Sequence, residues 1–174
     1  MSPLRRVPFV LAGMFLLVAV AAGCGGDGGG DTGEQPRATG SPQGPATVAV
    51  RSTGIGDILV DADGRTLYLF ASDREGESTC YDACAVAWPP LLTQGDPEAG
   101  EGAREPLLGT MVREDGQTAV TYDGQPLYHY QGDDEPGDLE GQGIQQFGAR
   151  WYVVGPDGER ITATPQDRET PGGY

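Results

Sequence analysis

The sequence predicts an all-β domain of antiparallel strands: two pseudo-symmetric β-meander repeats, packed as one small sandwich or barrel, with at most one short helix near residues 78–87. Three observations predict it. Gly, Pro and Asp-Gly steps punctuate the chain at short, regular intervals, the spacing of turns between short strands. β-Branched and aromatic residues fill the intervals, which is strand composition. Finally, residues 63–73 (DGRTLYLFASD) reappear as residues 123–133 (DGQPLYHYQGD), both fitting Asp-Gly-x-x-Leu-Tyr-x-aromatic-x-x-Asp.

Taken in order, Ala46–Ser52 (ATVAVRS) alternates as a strand does. Asp57–Val60 runs into the turn Asp61-Ala62-Asp63-Gly64, and Thr66–Phe70 returns, which predicts a hairpin. Ser78–Ala87 has room for one or two helical turns, with Ser78 and Thr79 as candidate caps. Thr110–Arg113, Thr118–Tyr122 and Pro126–Tyr130 form a meander through Asp115-Gly116 and Asp123-Gly124. Trp151–Val154 and Arg160–Thr162 form a last hairpin around Pro156-Asp157-Gly158. The domain therefore spans residues 46–164, with repeat 1 at about 46–94 and repeat 2 at about 107–164. Neither β-unit is large enough for a core of its own, so the two are expected to pair about a pseudo-twofold axis. Residues 165–174 are polar with Pro and Gly and read as a flexible tail.

The N-terminus carries an address. Arg5 and Arg6 precede an apolar run, Val7–Val20, and small residues lead up to Cys24. This is the layout of a secretory signal, residues 1–23, too short to span a bilayer comfortably. Ala21-Ala22-Gly23-Cys24 resembles the lipobox of bacterial lipoproteins, which implies cleavage before Cys24 and lipid on its sulfur. Residues 24–45 are Gly-rich and have no aromatic or large aliphatic side chain. Such a segment cannot bury apolar surface and is expected to stay disordered; as a flexible coil, about 20 residues would reach on the order of 25 Å. The expected location is the extracytoplasmic face of a bacterial membrane, with the domain held off the bilayer by a tether.

All eleven basic residues are arginine, against 26 acidic ones. Removing the signal removes two arginines and no acid, so the mature charge is 9 − 26 = −17. That surface argues against nucleic-acid binding and against lying flat on anionic lipid. It leaves the lipid anchor as the expected membrane contact, and the ligand or protein partner open.

The motif strings, in their order, resemble a bacterial family of secreted-repeat lipoproteins with a Tyr-x-aromatic-x-x-Asp motif and no assigned biochemical role. The resemblance covers about Ile55 to Gly158. It includes Ser78-Thr79-Cys80, Cys84-Ala85, Trp88-Pro89-Pro90-Leu91, Pro136-Gly137-Asp138, Gly141-Gln142-Gly143 and Trp151-Tyr152-Val153-Val154. It implies export and a repeat domain, and it implies no reaction.

Within the motif, strand alternation puts Tyr68 and Phe70 on one face and Leu67 and Leu69 on the other, as in a strand covered on both sides. Repeat 2 places Tyr128 and Tyr130 together, opposite Leu127 and His129. Asp73 and Asp133 follow these strands, where a carboxylate can accept backbone N–H bonds and lock the exit turn. Trp88 and Trp151 trail the two copies at similar distances. The motif is thus expected to be core plus a turn lock; the functional alternative is a tyrosine-lined cleft that binds ligand or relays electrons.

With Cys24 assigned to lipid, Cys80 and Cys84 remain as a pair in an oxidising compartment, where a disulfide is the expected state. Positions i and i+4 of a regular helix lie near the upper limit for a bridge, so the turn there is expected to be irregular. The alternative is extracytoplasmic redox or copper handling by Cys80 and Cys84 with His129, since thiolate and imidazole suit copper. Asp61, Asp63, Asp133, Asp134, Glu135 and Asp138 could hold calcium, as in a calcium-stabilised adhesion module, but no run matches a twelve-residue hand loop. No Gly-x-Ser-x-Gly elbow is present. The expectation is a non-enzymatic binding or structural module with no cofactor.

Overall fold

The computed structural model describes residues 44–164. The expected signal (1–23), Cys24, nearly all of the tether and the tail at 165–174 lie outside the described residues.

The domain opens with an antiparallel hairpin, β1 (Thr47–Thr53) and β2 (Gly56–Asp61), in which Val48 faces Asp61 and Thr53 faces Gly56. β3 (Tyr68–Phe70) is buried along its whole length. A single helical turn, α1 (Ala83–Ala87), precedes Trp88. β4 (Glu98–Ala99) lies parallel to β1. A 3-10 turn, Glu105–Leu107, then leads into the meander of β5 (Leu108–Val112), β6 (Thr118–Tyr122) and β7 (Gln125–Pro126). Between β6 and β7, Asp123 and Gly124 have φ of 49° and 76°, the positive pair a tight primed hairpin turn needs. The last strands are β8 (Gln145–Gln146) and β9 (Ala149–Val153).

These form three three-stranded sheets, β2-β1-β4, β3-β9-β8 and β5-β6-β7, joined by isolated bridges. The fold is all-β, as expected, but the described residues close no barrel.

The sheets are stitched together by strand exchange between the repeats. Tyr68 and Tyr128 each donate their backbone N–H to the other's carbonyl at 2.9 Å. Such a reciprocal pair marks a pseudo-twofold axis. On one side of it, β3 pairs with β9 of repeat 2, Tyr68 opposite Val153 and Phe70 opposite Trp151. On the other, the corresponding stretch of repeat 2 pairs with residues just after α1. Leu91 N–H donates to the Leu127 carbonyl, His129 N–H to that of Pro89 and Gln131 N–H to that of Ala87, at 2.8–3.0 Å. Pro89 and Pro90 have no N–H to give, so this half of the exchange is an isolated bridge, Pro90 with Tyr128, flanked by single hydrogen bonds, while its counterpart is a regular ladder.

This exchange corrects several sequence expectations. The hairpin expected from Asp57 to Phe70 survives only around the Val60–Thr66 bridge; β2 instead pairs with β1, and β3 leaves for the other repeat. Of the stretch Pro126–Tyr130 only Pro126 is regular strand, because Tyr128 bonds to Tyr68 and His129 to Pro89. The hairpin around residues 156–158 is reduced to the Val154–Arg160 bridge. The helix begins later than expected, and Ser78 and Thr79 do not cap it. Asp82, at φ 50°, occupies the cap position with no side-chain bond, while the hydroxyls of Ser78 and Thr79 are engaged elsewhere.

Two apolar clusters flank β3. One holds Tyr68, Phe70, Trp88, Tyr128, Trp151, Cys80 and Cys84. The other holds Leu67 and Leu69 with Leu59, Val120, Tyr122 and Leu127. The alternation predicted for a strand covered on both faces is therefore found, and at roughly 1.5–3 kcal/mol per buried large side chain it is a main source of stability.

Candidate functional site

The motif residues of both repeats converge where the strands exchange. At the centre, Trp88 and Trp151 stack face to face, with centroids 3.9 Å apart and planes 4° apart. Each tryptophan takes a second ring from the opposite repeat: Phe70 on Trp151 at 4.2 Å and Tyr130 on Trp88 at 4.3 Å. The order Phe70–Trp151–Trp88–Tyr130 follows the pseudo-twofold axis. Tyr68 meets Trp88 edge-on at 5.4 Å, and Tyr128 meets Trp151 edge-on at 5.2 Å. Offset and edge-on contacts of this kind add about 0.5–1.5 kcal/mol each beyond area burial.

The polar part of the motif crosses the axis too. The Tyr68 hydroxyl donates to Asp133 Oδ2 at 2.7 Å, and the Tyr128 hydroxyl donates to Asp73 Oδ2 at 2.5 Å. Each motif tyrosine thus bonds the aspartate of the other repeat, five positions downstream of its own counterpart. The second carboxylate oxygens hold local loops: Asp73 Oδ1 accepts the N–H and hydroxyl of Thr79, and Asp133 Oδ1 accepts the N–H of Glu140. The carboxylates do accept backbone N–H groups, but from loops six and seven residues on and not from the exit turn that was expected. The tyrosine bridge across repeats went unforeseen; its only trace in sequence is the equal Tyr-to-Asp spacing in both copies.

Burial sets the electrostatics. Asp133 is 2% exposed, and burial pushes its carboxyl up to about 6, against the opposing pull of the Tyr68 and Glu140 bonds. Burial likewise raises Asp73, outweighing its bonds to Tyr128 and Thr79. Both phenols are pushed above the ordinary tyrosine value, first by burial and then by the charge of the aspartate each one touches. The protons therefore rest on the tyrosines, and the carboxylates act as acceptors.

The two ends of the junction differ. Beside Tyr128, Ser78 Oγ lies 2.7 Å from the phenol oxygen and accepts from Arg113 Nη1 at 2.9 Å. Arg113, 2% exposed, also donates to the Cys80 carbonyl and to Asp115, and stacks over Tyr81 at 4.4 Å. Sequence reasoning missed it, since nothing local marks an arginine at a strand end as buried. Beside Tyr68, the partner is the backbone N–H of Gly141. A Cβ at Gly141 would lie 2.8 Å from the Tyr68 ring and 2.9 Å from Trp88, so only glycine fits that approach. Gln146 serves both indoles, accepting from Trp88 Nε1 on its side chain at 2.8 Å and from Trp151 Nε1 on its backbone at 3.4 Å.

Cys80 and Cys84 form a disulfide with Cα atoms 5.1 Å apart, inside the usual range. Cys80 precedes α1 and Cys84 lies within it, which meets the expectation of an irregular turn. Both sulfurs belong to the aromatic cluster. His129 is apart from them in its bonding: its Nε2 lies 2.8 Å from Asp61 Oδ2. Burial works to raise Asp61, but the bond and charge of His129, with the N–H groups of Arg65 and Asp63, bring it below its ordinary value. Asp138 closes a turn by accepting from the N–H groups of Asp134 and Glu135. Among the described residues, no three His, Cys, Asp or Glu side chains converge as a metal ion would require.

A family model described as a secreted repeat of unknown function matches residues 49–92 and 109–155. The two matched segments contain the two motif copies and both tryptophans, the elements that exchange across the axis. No curated protein and no solved structure matches the chain.

Proposed function

This chain belongs to the family of secreted repeats of unknown function, and on that premise we propose that it is a non-enzymatic binding or structural module of the bacterial cell envelope. In this reading lipid on Cys24 anchors it to the extracytoplasmic face, and the domain works through its surface. The observation that carries the proposal is the fate of the signature: its two buried tyrosines bond the two aspartates across the repeats, Asp133 buried and Asp73 half-buried. A motif consumed in this way specifies a fold. Recognition then falls to the acidic exterior.

Two experiments test this. With Cys24→Ala the full-length chain is expected to leave the membrane fraction, and retention there would contradict the anchor. Thiol counting on the native chain is expected to find no free thiol at Cys80 or Cys84 and no stoichiometric copper after reconstitution under reducing conditions. Copper bound at one equivalent and lost with His129→Ala would replace this reading with metal handling.

A further inference from the structure

The packing of the junction has a property that structural filling does not require: its oxidisable rings are contiguous, and only some are given a base. Three of the four stacked rings, Trp151, Trp88 and Tyr130, are readily oxidised, and their centroids are 3.9 and 4.3 Å apart. Tyr130 is the half-buried end of the stack, while both tryptophans are fully buried. Phe70 ends the stack at the other side with a ring that resists oxidation. From the tryptophans, edge-on contacts lead to Tyr68 and Tyr128. The indole N–H groups face only amide oxygens of Gln146, too weakly basic to take the proton of an oxidised indole. The two phenols each face a carboxylate, buried at Asp133 and half-buried at Asp73. An oxidised tryptophan therefore stays charged and passes its deficit on, and an oxidised tyrosine has somewhere to put its proton.

We propose that the ring stack and the two tyrosine–aspartate pairs form a relay that carries a one-electron oxidising equivalent from the domain surface to Tyr68 or Tyr128. A one-electron oxidant of the radical or high-valent metal type, resting on the half-buried Tyr130, takes an electron from Trp88 across the 4.3 Å stack; the oxidant is reduced by one electron and Trp88 is left as its radical cation. The deficit moves along the stack. Tyr128 then gives one electron to the Trp151 radical cation and its phenolic proton to Asp73 Oδ2, leaving a neutral tyrosyl radical and a protonated carboxyl. Tyr68 does the same through Trp88 and Asp133. A small thiol or ascorbate returns one electron, the carboxyl returns the proton, and the phenol is restored. In an envelope protein this confines damage from surface oxidants to two buried, repairable sites. Asp73 and Asp133 are positioning residues and proton acceptors in this scheme.

Flash photolysis of the full-length chain in detergent tests it, with photo-oxidised ruthenium tris-bipyridine as the oxidant. The expected sequence is a tryptophan radical that decays into a neutral tyrosyl radical, with the second step slower in deuterated water because a proton moves. In Asp73→Asn with Asp133→Asn, which keeps an oxygen acceptor and removes the base, the tyrosyl signal is expected to be lost and the tryptophan radical to persist. Tyr68→Phe with Tyr128→Phe is expected to do the same, with near-ultraviolet circular dichroism checking that the stack is intact. An undiminished tyrosyl signal in either pair, or the absence of a solvent isotope effect in the unaltered chain, overturns the relay. The isotope effect needs no variant, so the test stands even where a substitution unfolds the domain.

Discussion

At the residue scale, two carboxylates, Asp133 buried and Asp73 half-buried, each find a hydroxyl partner in the other half of the molecule. Asp133 makes a direct prediction of pH dependence. Its folded value, about 6, exceeds the ordinary 3.8, so the folded state binds its proton more tightly than the unfolded one. The stability it contributes is fully present below about pH 4 and is lost as pH rises through 6. Asp73 is shifted the same way. Melting temperature is therefore expected to fall between pH 4 and pH 7, and Asp133→Asn is expected to remove part of that slope. An unchanged slope in the variant would attribute the whole effect to the net charge. Gly141→Ala is expected to cost about 1–3 kcal/mol by overpacking, read as a lowered melting temperature, because the Tyr68 and Trp88 rings cannot withdraw from a Cβ. The sequence made Asp73 and Asp133 legible as acceptors, since carboxylates after strands accept N–H bonds. It could not name their hydroxyl partners, which lie 55 and 65 residues away and are set by topology.

At the element scale, local signals were legible where a strand or turn is specified by its own residues. β1, β5, β6 and the Asp123-Gly124 turn fall at or near where alternation and positive-φ residues put them. Pairing choices were not legible. β3 could return on β2 or cross to β9, and nothing in Tyr68–Phe70 decides between them; the aromatic stack on the far side does. β4 and β8, at Glu98–Ala99 and Gln145–Gln146, carry no strand composition and exist because a neighbouring edge offers hydrogen bonds. The disulfide closes a small loop, and the chain-entropy relation gives it about 2 kcal/mol. Cys80→Ala with Cys84→Ala is expected to lower the melting temperature by at least that equivalent while the domain stays folded. A larger loss would show that the bridge also holds α1, and with it Trp88, in the stack. Complete unfolding would contradict a core held mainly by the rings.

At the scale of the whole molecule, the two repeats form one cooperative unit because each lacks what the other supplies. Repeat 1 alone has β3 without β9, Tyr68 without Asp133 and Trp88 without Trp151. Residues 46–94 expressed alone are expected to be unfolded by circular dichroism, and mixing them with residues 107–164 is expected to restore structure. The sequence announced the repeat, and from the size of each copy it announced that they must pack together. That they exchange strands was not announced, because a period shows what recurs and says nothing about which copy it contacts. The central claim is that the signature motif locks one repeat onto the other, and double-mutant cycles on the four motif residues test it most directly. Tyr68→Phe with Asp133→Asn, and Tyr128→Phe with Asp73→Asn, are expected to couple by about 0.5–3 kcal/mol in denaturant unfolding, as contacting pairs do. The within-repeat pairs, Tyr68 with Asp73 and Tyr128 with Asp133, are expected to be additive within about 0.5 kcal/mol. Coupling within repeats and additivity across them would contradict the interlock.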